Sequence, residues 1–130
     1  MDMTQAPHAP DTARSPRARF LAALAEGRLV YQFDHGVGRA VFPPQAVGPG
    51  GRPSELEWHT SRGEGTVHAC TEVQRRDGAF NIALVDLDEG FRMMATVVDA
   101  APGALRIGLR VAARIEPWND AHRVVFGALA

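Results

Sequence analysis

Five histidines, one cysteine and an acidic cluster are the side chains best equipped for chemistry. His8, His35, His59, His68 and His122 are scattered, with no ligand spacing of the His-x-x-x-His kind. They read as polar-face residues, and of them only His59 and His68 are placed to approach each other from neighbouring strands. Cys70 lies between Ala69 and Thr71 on a strand, where a lone cysteine behaves as a small apolar residue. A thiol nucleophile needs a base and an electropositive setting, and only His68, two residues away, offers a base. Asp86, Asp88 and Glu89 suggest paired carboxylates for acid–base work. They flank a hairpin tip, however, where carboxylates are solvated and Asp and Gly favour turns for backbone reasons; Asp86 is expected to bond backbone groups. No Ser-His-Asp order, phosphate loop or Gly-x-Gly-x-x-Gly is present. The chemistry-bearing residues do not describe an enzyme.

The elements that must position these residues are organised around Phe80 to Val98. Ile82, Leu84 and Asp86 alternate with Ala83, Val85 and Leu87; after Asp88-Glu89-Gly90, Phe91, Met93, Ala95 and Val97 alternate with Arg92, Met94, Thr96 and Val98. Alternation on both sides of a glycine-containing turn is a β-hairpin signal. Apolar residues on both faces place the hairpin at the centre of a closed or nearly closed sheet.

The remaining chain supplies a tail, a helix and more strands. Residues 1–16 are rich in Ala, Pro, Thr and Ser and bury too little to offset their ordering entropy, which predicts a mobile tail. Residues 17–28 carry Phe20, Leu21 and Leu24 before Gly27, a short amphipathic helix stopped by glycine. It packs on the rest of the chain or docks a partner. Residues 29–55 form a hairpin-like module interrupted by Gly36, Gly38, Pro43-Pro44 and a Gly/Pro cluster at 48–53. Residues 56–130 hold about five strands: Leu56 to Thr60, Thr66 to Gln74, the central hairpin, Leu109 to Ile115 and Arg123 to Phe126. So many short strands leave exposed edges unless they curl, and Gly63 and Gly65 suit a barrel corner. The expected fold is mainly β, a five-stranded OB barrel; an SH3-like barrel or small sandwich produces much the same pattern.

Composition narrows the classes. A formal charge of −1 gives no global pull toward nucleic acid or anionic membrane. The single cysteine excludes an intramolecular disulfide. No run of about 18 apolar residues is present to span a bilayer, and the chain start has no apolar signal core. The expectation is a soluble, cytoplasmic protein. Six Phe, two Trp and one Tyr, with no repeating aromatic–basic pattern, are few for the stacking platforms of single-strand nucleic-acid binding.

Glu26-Gly27-Arg28-Leu29, Tyr31-Gln32, Gly38-Arg39, Phe42-Pro43-Pro44, Glu57-Trp58, Gly63-Glu64-Gly65-Thr66-Val67, Leu84 through Gly90 and Ile107-Gly108-Leu109 occur in an order that resembles one family. These are the acyl-CoA-associated OB-fold proteins with an N-terminal rubredoxin-like zinc ribbon, a domain-of-unknown-function family. The resemblance runs from about Phe20 to Phe126. It implies that residues 29–55 are a ribbon module, with two Cys-x-x-Cys pairs falling at Asp34, Val37, Gly48 and Gly51. None is cysteine. Four soft or borderline ligands are needed for structural zinc, so a degenerate, zinc-less ribbon is expected. Zinc supplies about 10–16 kcal/mol to small modules, and without it Phe33, Val37, Val41 and Phe42, or a partner, must hold the ribbon.

The resemblance also implies a function: a non-catalytic accessory subunit that binds a thiolase-like, hydratase or aldolase enzyme and helps form its acyl-CoA site in lipid metabolism. Coenzyme A esters are then the ligand, with no covalent cofactor. Arg62 and Arg92, near glycine-opened backbone at Gly63 and Gly65, are placed to meet CoA phosphates, and Trp58 to stack on adenine or cover the pantetheine arm. The alternatives are solvated arginines and a core tryptophan, or an interface built on Trp58 and Trp118. Two other functions stay open, a stand-alone acyl-CoA binder and a single-strand nucleic-acid-binding OB fold.

Overall fold

The computed structural model describes residues 15–101 and 103–129, apart from the side chain of Arg75. The expected tail, its His8 included, lies almost wholly outside them.

Helix α1 (Pro16–Ala25) begins where Ser15 accepts the Ala18 amide on its hydroxyl and Pro16 presets the first turn. It buries Ala23 and Leu24 and ends where the Glu26 amide donates to the Ala23 carbonyl. Three strands then form one small antiparallel sheet in the order β2–β1–β3: β1 (Val30–Asp34), β2 (Arg39–Val41) and, after a 3₁₀ turn at Pro53–Glu55, β3 (Leu56–Thr60). The segment Leu56 to Thr60, expected to open the barrel, therefore belongs to the ribbon sheet. It pairs with β1 from Val30↔Thr60 to Asp34↔Leu56. Alternation marks a strand, but its partner is set by non-local contacts.

The second sheet has the order β6–β5–β4–β8–β9–β7. It consists of β4 (Glu64–Arg75), β5 (Gly78–Leu87), β6 (Arg92–Ala95), β7 (Val97–Val98), β8 (Arg110–Trp118) and β9 (Ala121–Ala128). The expected hairpin is β5–β6, paired from Ala83↔Ala95 to Asp86↔Arg92 across the Asp88–Gly90 turn. β6 and β7 are one stretch broken at Thr96, and they lie at opposite ends of the sheet order. That single stretch thus joins the two ends of the curled sheet. Asn81 secures the break: its amide oxygen accepts the Val97 N–H at 2.8 Å and its amide nitrogen donates to the Val97 carbonyl at 2.9 Å. Counting β6–β7 as one strand, the sheet is the five-stranded OB barrel.

Val67, Val85, Val111 and Phe126 are fully buried inside it. Leu29 and Tyr31 of the ribbon join the same core cluster. Tyr31 stacks on Phe91 at 4.7 Å, Phe91 meets Phe42 at 5.1 Å, and Phe42 meets Phe20 of α1 edge-on at 5.5 Å. Aromatic pairs of this kind contribute about 0.5–1.5 kcal/mol each beyond their area. Helix, ribbon and barrel are tied by one aromatic chain.

Candidate functional site

The two turns of the ribbon converge on Asp34. Each turn is closed by backbone bonds: Val37 and Gly38 amides donate to the Asp34 carbonyl, and the Gly51 amide donates to that of Gly48. Between them the fully buried Asp34 carboxylate accepts the Gly36 amide on one oxygen and the Gly50 amide on the other, each at 2.8 Å. A Cβ built at Gly48 or Gly50 falls 2.5 or 2.6 Å from those oxygens, so glycine is what admits the carboxylate. The residues present do not fit a zinc ion. Gly48 and Gly51 offer no ligand atom, Val37 is 44% exposed, and the one carboxylate is committed to backbone amides. The Gly50 amide above all, with those of Gly36 and Val37 and the Arg39 charge, holds the Asp34 carboxyl below the usual carboxylate range. Of the packing expected from Phe33, Val37, Val41 and Phe42, Val41 is buried and Phe42 packs on the core, Phe33 is partly covered and Val37 is exposed; the Asp34 carboxylate joins the two turns besides.

The opposite face of this sheet carries a second polar group. Tyr31 and Phe33 alternate onto it from β1, and Glu57 and His59 from β3, because Phe33 pairs with Glu57 and Tyr31 with His59; His35 joins them from the turn just past the end of β1, where its amide donates to the Glu55 carbonyl. The Nε2 atoms of His35 and His59 both lie 2.8 Å from Oε1 of Glu57. The hydrogen bond from His35, then that from His59, lowers the Glu57 carboxyl below its ordinary range. His59 and His68, expected to approach each other, sit on different sheets, and His68 is instead 3.5 Å from Asp86. The signal present in the sequence is Glu57-Trp58-His59, whose i, i+2 spacing puts a carboxylate and an imidazole on one strand face. Adding His35 to them requires the register.

The residues proposed for coenzyme A are dispersed. Trp58 lies on the Asp34 side of the ribbon sheet, half-buried, with the Arg19 guanidinium 5.0 Å above its ring. It lines a cleft of about 240 Å³ with Arg19, Ala22, Glu26, Arg28 and Val30. Arg62 lines another cleft of about 240 Å³ with Gly27, Leu29, Gly63 and Ile115. The alternation of residues 26 to 30 between these linings makes that segment the wall between the clefts. Arg92 is elsewhere, on the outer face of β6, paired to Asp86 through a 2.6 Å Nε–Oδ1 bond. Gly63 adopts a φ of +78° and its carbonyl accepts the Ala113 amide, while Gly65 lies against the Asp86 backbone. The structure brings Arg62 and Gly63 together, sets Trp58 across the shared wall, and leaves Arg92 apart.

The acidic cluster is fully engaged. Asp86 takes Arg92, not the backbone groups expected. Asp88 takes both terminal nitrogens of Arg110 at 2.8 Å. Glu89 accepts the Ser61 hydroxyl and the Arg62 amide, each at 2.8 Å, tethering the hairpin tip to the ribbon–barrel connection. The Arg92 and Arg110 hydrogen bonds hold the Asp86 and Asp88 carboxyls low. Neither Asp86 nor Asp88 is poised as a proton donor near neutrality. Cys70 is partly buried against the barrel core. Among the described residues, no helix is long and apolar enough to cross a membrane.

Known proteins resemble this arrangement. Residues 58–116 match the family model of the ChsH2 C-terminal OB-fold domain. A chain of the Ltp2–ChsH2(DUF35) aldolase superposes with a TM-score of 0.77 at 23% identity, over 92% of this chain and 98% of that one. A DUF35-family protein of unknown function from Sulfolobus solfataricus superposes with a TM-score of 0.64 at 13% identity, over 97% of this chain and 91% of that one. No curated protein sequence matches the chain. Together the matches show an OB fold over residues 58–116 and an overall fold shared with two solved DUF35 structures.

Proposed function

We propose that the protein is a non-catalytic accessory subunit that binds an acyl-CoA-processing enzyme of the aldolase, thiolase-like or hydratase type and helps form its acyl-CoA site. The observation that carries this is the likeness over nearly the full length of both chains to a component of an aldolase assembly. With 92% of this chain covered, the likeness extends beyond a common barrel into the helix and ribbon. The engaged state of Asp86, Asp88 and Glu89 supports a subunit without its own acid–base machinery. An unsatisfied surface supports a partner: Met94, 69% exposed, pairs across from Leu84, and Ile82 is exposed two residues along the same face of β5.

Coenzyme A is assigned to the wall between the two clefts. Arg19, Arg28 and Arg62 surround it with guanidinium groups suited to phosphates, and Trp58 offers a ring face for adenine or the pantetheine arm. Gly63 and Gly65 serve by admitting close backbone approach, and Arg92 at the rim of the partner surface. The test is to purify the tagged full chain from its native cells and identify what co-purifies. A stoichiometric aldolase, thiolase-like or hydratase subunit is expected. In that complex Arg62→Ala is expected to raise the Kd for an acyl-CoA about tenfold, about 1.4 kcal/mol. Recovery of the protein alone, with acyl-CoA bound by the monomer, establishes the stand-alone binder instead. Salt-sensitive binding of single-stranded oligonucleotides with neither partner nor CoA overturns both.

A further inference from the structure

We propose that His35, Glu57 and His59 form a binding site for a divalent transition metal, zinc by preference, on the face of the ribbon sheet opposite Asp34. This site is separate from the position filled by the Asp34 carboxylate, because that carboxylate is held by the Gly36 and Gly50 amides while His35 Nε2 is turned to Glu57.

The chemistry of the set is right. Two imidazole nitrogens and a carboxylate oxygen are a ligand trio for zinc, which takes three protein ligands and a water in open sites. The three donor atoms lie within 4.8 Å of one another. Zinc–ligand bonds of about 2.0–2.2 Å need donors slightly farther apart than the present 2.8 Å contacts. Glu57 and His35 are both exposed, and a small rotation of their side chains opens that space.

The rings are also held in place before any metal arrives. His59 stacks on Phe33 with an interplanar angle of 6° at 5.7 Å, and His35 meets the same ring edge-on at 5.0 Å. His59 Nδ1 lies 3.4 Å from the Tyr31 hydroxyl, near enough for Nδ1–H to use that oxygen as its acceptor. A metal would displace the proton that Nε2 now donates to Glu57, and with Nδ1–H turned to Tyr31 the freed Nε2 lone pair takes the orientation a metal-ligating histidine gets from the partner of its other nitrogen. A chance cluster of surface histidines has no such backing.

The experiment uses the full chain without a histidine tag, stripped with chelator and titrated with zinc chloride by calorimetry. Cobalt substitution reports coordination by its visible absorption. One zinc per chain with a Kd of about 10 µM or tighter is expected. Glu57→Gln is expected to weaken binding at least about tenfold, and His59→Ala to remove it and the cobalt spectrum. His8→Ala, His68→Ala and His122→Ala leave both unchanged. Far-UV circular dichroism of each variant verifies its fold. Absence of saturable binding, or stoichiometric binding that survives His59→Ala in a folded protein, overturns the proposal. In the first case the trio is only a hydrogen-bonded cluster in which one carboxylate oxygen takes two imidazoles.

Discussion

Asp34→Ala is expected to unfold the ribbon while the barrel stays folded, with the melting temperature falling by about 10 °C. The substitution leaves the Gly36 and Gly50 amides facing the space vacated by a fully buried carboxylate. Both amides, Gly36 exposed and Gly50 partly buried, lose bonds to a charged acceptor, which are stronger than neutral ones. The loss is concentrated where the module has least else to hold it, since Val37 is exposed and Phe33 is only partly covered. Limited proteolysis is expected to cut first between residues 35 and 55. Asp34→Asn is milder, because one oxygen still accepts an amide while its NH₂ group opposes the other. The pH dependence has a definite sign. The folded pKa of Asp34 lies below the unfolded value, so its contribution is fully present above the ordinary Asp pKa of about 3.9. It is lost as pH falls through the lower, folded value. Melting curves of the parent and Asp34→Ala are therefore expected to stay far apart near neutrality and converge in strong acid. A gap that persists unchanged in strong acid would mean that the carboxylate charge is irrelevant to the clasp.

Local pattern made some of this legible and hid the rest for a definite reason. The Asp88-Glu89-Gly90 turn and the alternation around it identify β5–β6, because a hairpin is a local object. Gly27 marks the end of α1 in the same way, whereas Ser15-Pro16, read as tail, turn out to cap and open the helix. Pairing across long sequence separations carries no such mark. Leu56 to Thr60 is visibly a strand, yet its union with β1 depends on a ladder spanning the whole ribbon. The same ladder puts Glu57 and His59 on the face that His35 reaches from the turn just beyond β1, and Trp58 on the other face beneath Arg19. Arg92 reads as a free cation in the sequence because its facing residue, Asp86, lies across a turn. Asp34 is the instructive case. The absence of cysteine at the positions that the resemblance marks is visible in the sequence, but finding the Asp34 clasp requires knowing that Gly48 and Gly50 clear room for one carboxylate.

Gly65→Val is expected to unfold the barrel, and Gly65→Ala to cost about 2–4 kcal/mol, a large share of the 5–15 kcal/mol that stabilises a typical domain. A Cβ built on Gly65 sits 2.5 Å from the Asp86 carbonyl oxygen and 2.9 Å from Cγ1 of Val85, which is fully buried. The nearest obstacle is backbone, so no rotamer change relieves it. Gly65 also pairs with Leu87 on one side and Val111 on the other, tying three adjacent strands at this point. Moving β4 outward to admit a methyl group would separate it from β5 or β8 and open the core around Val67, Val85 and Val111. Chemical denaturation of Gly65→Ala, read beside acyl-CoA binding to the purified complex, separates two roles for this glycine. A protein of parental stability that has lost its ligand would make Gly65 a direct contact. Stability lost, with ligand affinity of the remaining folded fraction preserved, makes it the closure point of the barrel. The backbone distance favours the second outcome, and Arg92→Ala, whose ion pair with Asp86 is exposed, is expected to alter stability far less.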